Sequence, residues 1–100
     1  MKVQTVSQTG SGSTSALVMN TNICPFNVGF GVDITGTVNY TVQHTFDDPA
    51  VGFSLWFDHP TIASQSADKD GNYAFPVTGI RLTVNSGGGS ATLKLIQAGI

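Results

Sequence analysis

The chain is 100 residues long, with four lysines and arginines against six acidic residues and a formal net charge of −2. Only 10% of its residues are charged, against about 25% in an ordinary soluble domain, so there is no cationic stripe with which to neutralise phosphates and direct nucleic-acid binding is not expected. Cys24 is the only cysteine, which excludes an intrachain disulfide framework.

The length suits one domain, residues 1–100, with a core of modest size. Every acidic residue is Asp, and Val, Thr, Ser, Gly and Asn abound, a composition that favours strands and turns over helices. The amino end, from Met1 to Thr5, lacks the apolar run of a signal peptide, and no apolar stretch reaches membrane-spanning length. The expected setting is cytoplasmic, with no membrane partner, so the sequon Asn39-Tyr40-Thr41 reads as a chance match within a strand. So few charges protect a free monomer poorly against association, and much of the surface is expected to be covered by copies of the chain or by another protein.

Residues 1–9 are mostly polar, with Val3 and Val6 out of phase, and read as an edge strand or an extended arm. Gly10 to Ser15 reads as a flexible connector, and Ala16 to Met19 as a short apolar run of unassigned phase. Pro25 belongs at a strand start or an edge. From Asn27 the period of two is clear: Val28, Phe30, Val32 and Ile34 share one face, and Gly29 and Gly31 lie on the other, where a second backbone or a large side chain can approach closely. After Gly36, Val38, Tyr40, Val42, His44 and Phe46 share a face in the same way.

Asp47 to Ala50 reads as a turn. Phe53, Leu55 and Phe57 then alternate with Ser54, Trp56 and Asp58, which predicts a strand with the phenylalanines inward and Trp56 opposite. Asp68 to Asn72 reads as a tight turn. Ile80, Leu82 and Val84, then Ala91, Leu93 and Leu95, are two alternating runs around Asn85 to Ser90, and together they predict a β-hairpin with a long loop. The whole predicts an all-β fold: one small antiparallel β-sandwich or jelly-roll-like barrel of about seven strands. Its expected core draws on the alternating faces named above, including Phe53, Leu55 and Phe57.

His44, Asp47, Asp48, Asp58 and His59 flank one loop and could converge on a metal, or on hydrolytic chemistry using His44, His59 and Asp58. Their spacing matches no ligand signature, and Asp and His beside turns more often cap the loop. Asp68-x-Asp70-Gly71-Asn72 resembles part of a calcium loop without its closing Glu, so a plain turn is the favoured reading. Nothing beside Cys24 would activate its thiol. Gly87-Gly88-Gly89 lacks the Lys-Ser/Thr pair and the helix of a phosphate loop. Trp56, Tyr40 and Tyr73 are candidate sugar platforms, although a subunit contact is the more usual role for such an indole. The expectation is therefore a protein with no catalytic residue, metal or cofactor, whose partner-binding candidates are Trp56, Gly87, Gly88 and Gly89.

Three segments, Trp56 to Thr61, Asp70 to Val77 and Ile80 to Gly99, resemble small virion proteins of tailed bacteriophages. The resemblance is clearest from Val38 onward and contains no catalytic motif. It implies a capsid decoration (cement) protein that binds the major capsid protein or another virion protein, as a homo-oligomer expected to be a trimer, or else a tail- or fibre-associated module that binds a receptor or glycan. Its place would be the virion, assembled in the host cytoplasm, with the arm at residues 1–9 and the loop around Gly87 as reaching elements.

Overall fold

The computed structural model describes residues 2–21, 26–48 and 50–97. Cys24, Pro25 and Pro49, on which three of the expectations fall, lie outside the described residues. The described chain is all-β, with two antiparallel sheets of four and five strands and no helix among the described residues. Its strands are β1 (Lys2–Thr9), β2 (Gly12–Ser13), β3 (Leu17–Val18), β4 (Val28–Thr35), β5 (Asn39–Thr45), β6 (Phe57–Asp58), β7 (Lys69–Tyr73), β8 (Gly79–Ser86) and β9 (Ser90–Gln97).

The first sheet runs β1-β9-β4-β7 and the second β2-β8-β5-β6, with β3 also paired to β8. The period of two places Val28, Phe30 and Val32 of β4 and Leu93 and Leu95 of β9 inward from the first sheet. Tyr40 and Val42 of β5 and Ile80, Leu82 and Val84 of β8 face them from the second. Each such buried side chain contributes about 1.5 to 3 kcal/mol before entropy is subtracted. Met19, Phe26, Ile62, Tyr73 and Val77 join this core from short or irregular segments in which alternation gave no phase. Gln97 closes it at one end: its amide nitrogen donates to the Asn20 carbonyl at 2.7 Å and its amide oxygen accepts from the Asn20 N–H at 3.0 Å.

Several expectations are corrected. Residues 80–95 do not form a hairpin. β8 pairs with β5, β2 and β3, whereas β9 pairs with β1 and β4 in the opposite sheet, so the connecting loop is an arch between layers. A hairpin and an arch share one alternating pattern, because both keep an apolar face towards the same core. Of the two readings of the N-terminal segment the edge strand holds and the free arm does not: β1 pairs with β9 along its full length, from Lys2 opposite Gln97 to Thr9 opposite Ser90, at the end of its sheet. Asp68 to Asn72 is no turn, since residues 69–73 form β7, the far edge of the first sheet. Of the strand expected over 53–58 only Phe57–Asp58 pairs, with His44 and Gln43. Leu55 and Phe57 are exposed and Phe53 lies outside the core, because Asp47 holds residues 54 and 55 in a loop.

Three crossings between the layers lie at one end: β1 to β2 at Gly10, β4 to β5 at Gly36, and β8 to β9 at Gly87–Gly89. Their backbones are bonded to each other, the Gly10 N–H to the Gly89 carbonyl at 3.0 Å and the Gly89 N–H to the Thr37 carbonyl at 3.1 Å. Gly87 has φ +101°, and a Cβ there would stand 2.2 Å from the Thr37 oxygen; one at Gly89 would stand 2.3 Å from the Thr35 oxygen. A Cβ at Gly88 would meet nothing within 4 Å. Urea unfolding should therefore show Gly89→Ala losing about 2 kcal/mol or more, while Gly88→Ala stays within about 0.5 kcal/mol of the parent.

Candidate functional site: an aromatic end and a glycine-floored face

At the end opposite the arches, β5 delivers His44 and Phe46, β6 delivers Phe57, and the exit of β7 delivers Tyr73 and Phe75. The His44 ring lies 5.4 Å from Phe46, 6.0 Å from Phe57, 5.0 Å from Tyr73 and 5.4 Å from Phe75. Phe46 also touches Phe57 at 5.6 Å and Phe75 at 6.2 Å. His44 and Tyr73 are buried, but Phe46, Phe57 and Phe75 are 53, 44 and 39% exposed. Phe46 thus joins Phe57 and Phe75 into an apolar surface above a buried polar pair. In phase, Phe46 continues the inward face of β5; its exposure follows from standing one residue past the strand, where the opposite sheet no longer covers it.

The two histidines lie apart in role, each tied to its own hydrogen-bond partners. The His59 Nε2–H donates to the Asn72 carbonyl at 3.1 Å, and its Nδ1 accepts from the N–H groups of Thr61 and Ile62, both at 3.1 Å. Backbone N–H groups can only donate, so the tautomer is fixed and the ring serves as a brace between β7 and the loop after β6. Edge contacts to Phe30 and Tyr73 complete its packing. His44 Nδ1 lies 2.9 Å from the Tyr73 hydroxyl. Burial first, then the Asp58 charge, pushes the Tyr73 phenol up, and the direction of its bond to His44 follows the imidazole tautomer.

The expected acidic ligands are occupied separately. Asp47 accepts from the N–H groups of Ser54 and Leu55 at 2.7 and 2.9 Å, and these bonds hold its carboxyl below the usual range. Asp48 caps its own turn through the Ala50 N–H, and Asp58 accepts from Gln43. Asp68 accepts from the Ile34 N–H, and Asp70 lies in β7, so the calcium-like segment is not a loop wrapped around an ion. Among the described residues no three His, Cys, Asp or Glu side chains gather as metal ligands.

Trp56 is half-buried on the outer face of the second sheet. The Arg81 guanidinium lies 4.2 Å above its ring and Phe53 packs at 5.7 Å. Arg81 in turn donates to Gln43 at 2.8 Å. The expected alternation had put Phe53 and Trp56 on opposite sides; the irregular backbone brings them together. Tyr40 and Tyr73 are fully buried, and the Tyr40 hydroxyl donates to the Ala67 carbonyl at 2.6 Å, with burial first and the Asp68 charge second pushing its pKa up to about 12. Of the three candidate sugar platforms, Tyr40 and Tyr73 are buried, and Trp56 alone lies on an outer face, half-buried with Arg81 over its ring. Of the partner-binding glycines, Gly87 and Gly89 are packed against the 35–37 arch, and only Gly88 has open space around it.

The outer face of the first sheet is the second notable surface. Gly29 and Gly31 floor a shallow trough of about 880 Å³, walled by Thr92, Lys94 and Ile96 on one side and by Asp70 on the other. The outer side of these glycines is open: a Cβ at Gly29 would meet nothing within 4 Å, and one at Gly31 only atoms of residues 69 and 70 at 4.0 Å. Comparison with protein-family models, with curated proteins and with solved structures finds no match.

Burial first, then the neighbouring His59, lowers the His44 pKa, with Asp58 opposing. The folded state therefore binds fewer protons than the unfolded state once pH drops below the ordinary value of 6.5. Stability is at its plateau above that value and is lost as pH falls from it through the lower folded value. The urea midpoint should drop between about pH 7.5 and pH 5.5. His44→Leu should flatten part of that drop, at a cost of about 1 to 3 kcal/mol for the stranded Tyr73 hydroxyl.

Proposed function

We propose that this chain is a non-enzymatic structural protein of a tailed-bacteriophage virion, a capsid decoration or cement protein that binds across capsid subunits and stabilises the head. The observation that carries the reading is the exposed cluster of Phe46, Phe57 and Phe75 on a chain of very low charge. Contiguous exposed aromatic surface marks a protein contact, and buried aromatic anchors supply much of the energy of such contacts. The resemblance of residues 56–61, 70–77 and 80–99 to small virion proteins points the same way.

A jelly-roll assignment goes with this reading. β2 and β3 lie along the same side of β8, and the Thr14 N–H donates to the Leu82 carbonyl between them, so the two can be counted as one interrupted edge strand. Eight strands in two sheets of four, ordered β1-β9-β4-β7 and β2/β3-β8-β5-β6, support a double Greek key, an architecture used in viral capsid domains. Many modest contacts repeated over a lattice would supply the hold, with copies of the chain clustered on it.

The test is add-back to heads that lack the chain, followed by co-sedimentation. Saturable binding that raises the heat resistance of the heads is expected. Phe46→Ser with Phe75→Ser should lower the bound fraction roughly tenfold or more while the circular dichroism spectrum stays unchanged. Recovery of the chain only in tail fractions, or binding indifferent to both substitutions, would contradict the capsid role.

A further inference from the structure

We propose that two copies of this chain pair through the outer faces of their β1-β9-β4-β7 sheets. The two-fold axis runs along the strands between β4 and β9, and each copy's Ile96 and Lys94 sit over the other's Gly29 and Gly31. This rests on the self-association part of the proposed function and not on its virion part.

The outward residues of β9 are Thr92, Lys94 and Ile96, and they form a ridge. In register beside them on β4 stand Asp33, Gly31 and Gly29. Two of the three ridge side chains therefore have an empty position next to them, one strand spacing away, about 4.8 Å. A Cβ at Gly29 would meet nothing within 4 Å, and one at Gly31 would only reach Asp70 Cβ and the Lys69 carbonyl at 4.0 Å. Ile96 beside this groove is 44% exposed. A two-fold axis midway between the ridge and the groove, parallel to both, exchanges them without sliding either along the strand. Ile96 then lands over Gly29 of the second copy, Lys94 over Gly31, and Thr92 over Asp33.

The charges agree with the shape. Gly31 is opposite Asp70 on β7, and Asp33 is the next outward residue on β4. The Lys94 ammonium that arrives over Gly31 of the second copy thus meets two carboxylates, and this happens twice. Thr5, which is opposite Lys94 on β1, comes over Asp70, so that no two like charges are superposed along this row. Sheets packed face to face keep their strands roughly aligned, which an axis along the strands provides. The contact is isologous, the commonest form of closed assembly. The second copy is the occupant because this one surface carries both ridge and groove at matching spacing, together with both members of the charge pair.

Sedimentation velocity on the isolated full chain over a concentration series tests the pairing. Twice the monomer mass is expected at high concentration. Gly31→Val fills the groove on an extended backbone that readily accepts a β-branched residue, so it should keep the fold and raise the dimer dissociation constant roughly tenfold or more. Gly29→Val should act alike. Lys94→Asp and Asp70→Lys should each weaken association, and the two together should recover much of it. A chain that stays monomeric up to roughly millimolar concentration would overturn the proposal. So would a dimer or trimer untouched by Gly31→Val, or a double charge variant no tighter than either single one. None of these results bears on the binding of heads, so the two proposals fail separately.

Discussion

The rest of the structure depends on how three layer crossings pack together at one end. The Gly89 N–H reaches the Thr37 carbonyl and the Gly10 N–H reaches the Gly89 carbonyl, so three arches that each carry the chain from one sheet to the other are joined backbone to backbone. Such closeness leaves no room for side chains at Gly87 or Gly89. With the crossings pinned, β1, β4 and β9 fall in one sheet and β2, β5 and β8 in the other. The apolar faces of β4, β5, β8 and β9 then point into the space between.

The two sheets have unlike outer faces. Over the second, the loop after β5 folds back: Asp47 holds its far end, Phe53 lies against Gly79, and Trp56 covers Arg81, which is bonded in turn to Gln43. The first sheet has no such cover among the described residues, and the two glycines of β4 lower its floor further. One layer is covered by the chain itself and the other is left bare among the described residues. The aromatic end adds a second open surface, where β5 and β7 run out and Phe46, Phe57 and Phe75 have no opposite sheet to cover them. Both imidazoles are engaged within the fold, His59 bonded to backbone at residues 61, 62 and 72 and His44 to the Tyr73 phenol.

Legibility differed by segment for definite reasons. β4, β5, β8 and β9 were readable because long two-sided strands write their burial into a period of two, and the open position at Gly29 and Gly31 was readable with them. β7 was missed because Asp-Lys-Asp-Gly-Asn has turn chemistry, and an edge strand with few inward side chains is held by backbone pairing to β4 instead. The run from Phe53 to Phe57 misled in the opposite direction: its alternation is real in the sequence, but the Asp47 carboxylate takes the N–H groups that a ladder would need. The bracing role of His59 left no signal, since its partners are backbone atoms at residues 61, 62 and 72.

By itself the sequence determined that the chain is all-β, that its core is built from alternating strand faces, and that it is poor in charge. These are properties of side-chain chemistry at fixed spacing, and they survive any choice of partner strand. Only the tertiary structure decided which strands pair, that β8 and β9 part into opposite layers, and that Phe46, Phe57 and Phe75 meet on the surface. Pairing is a contest among backbones that are chemically alike, and its outcome is settled by which crossings can pack together.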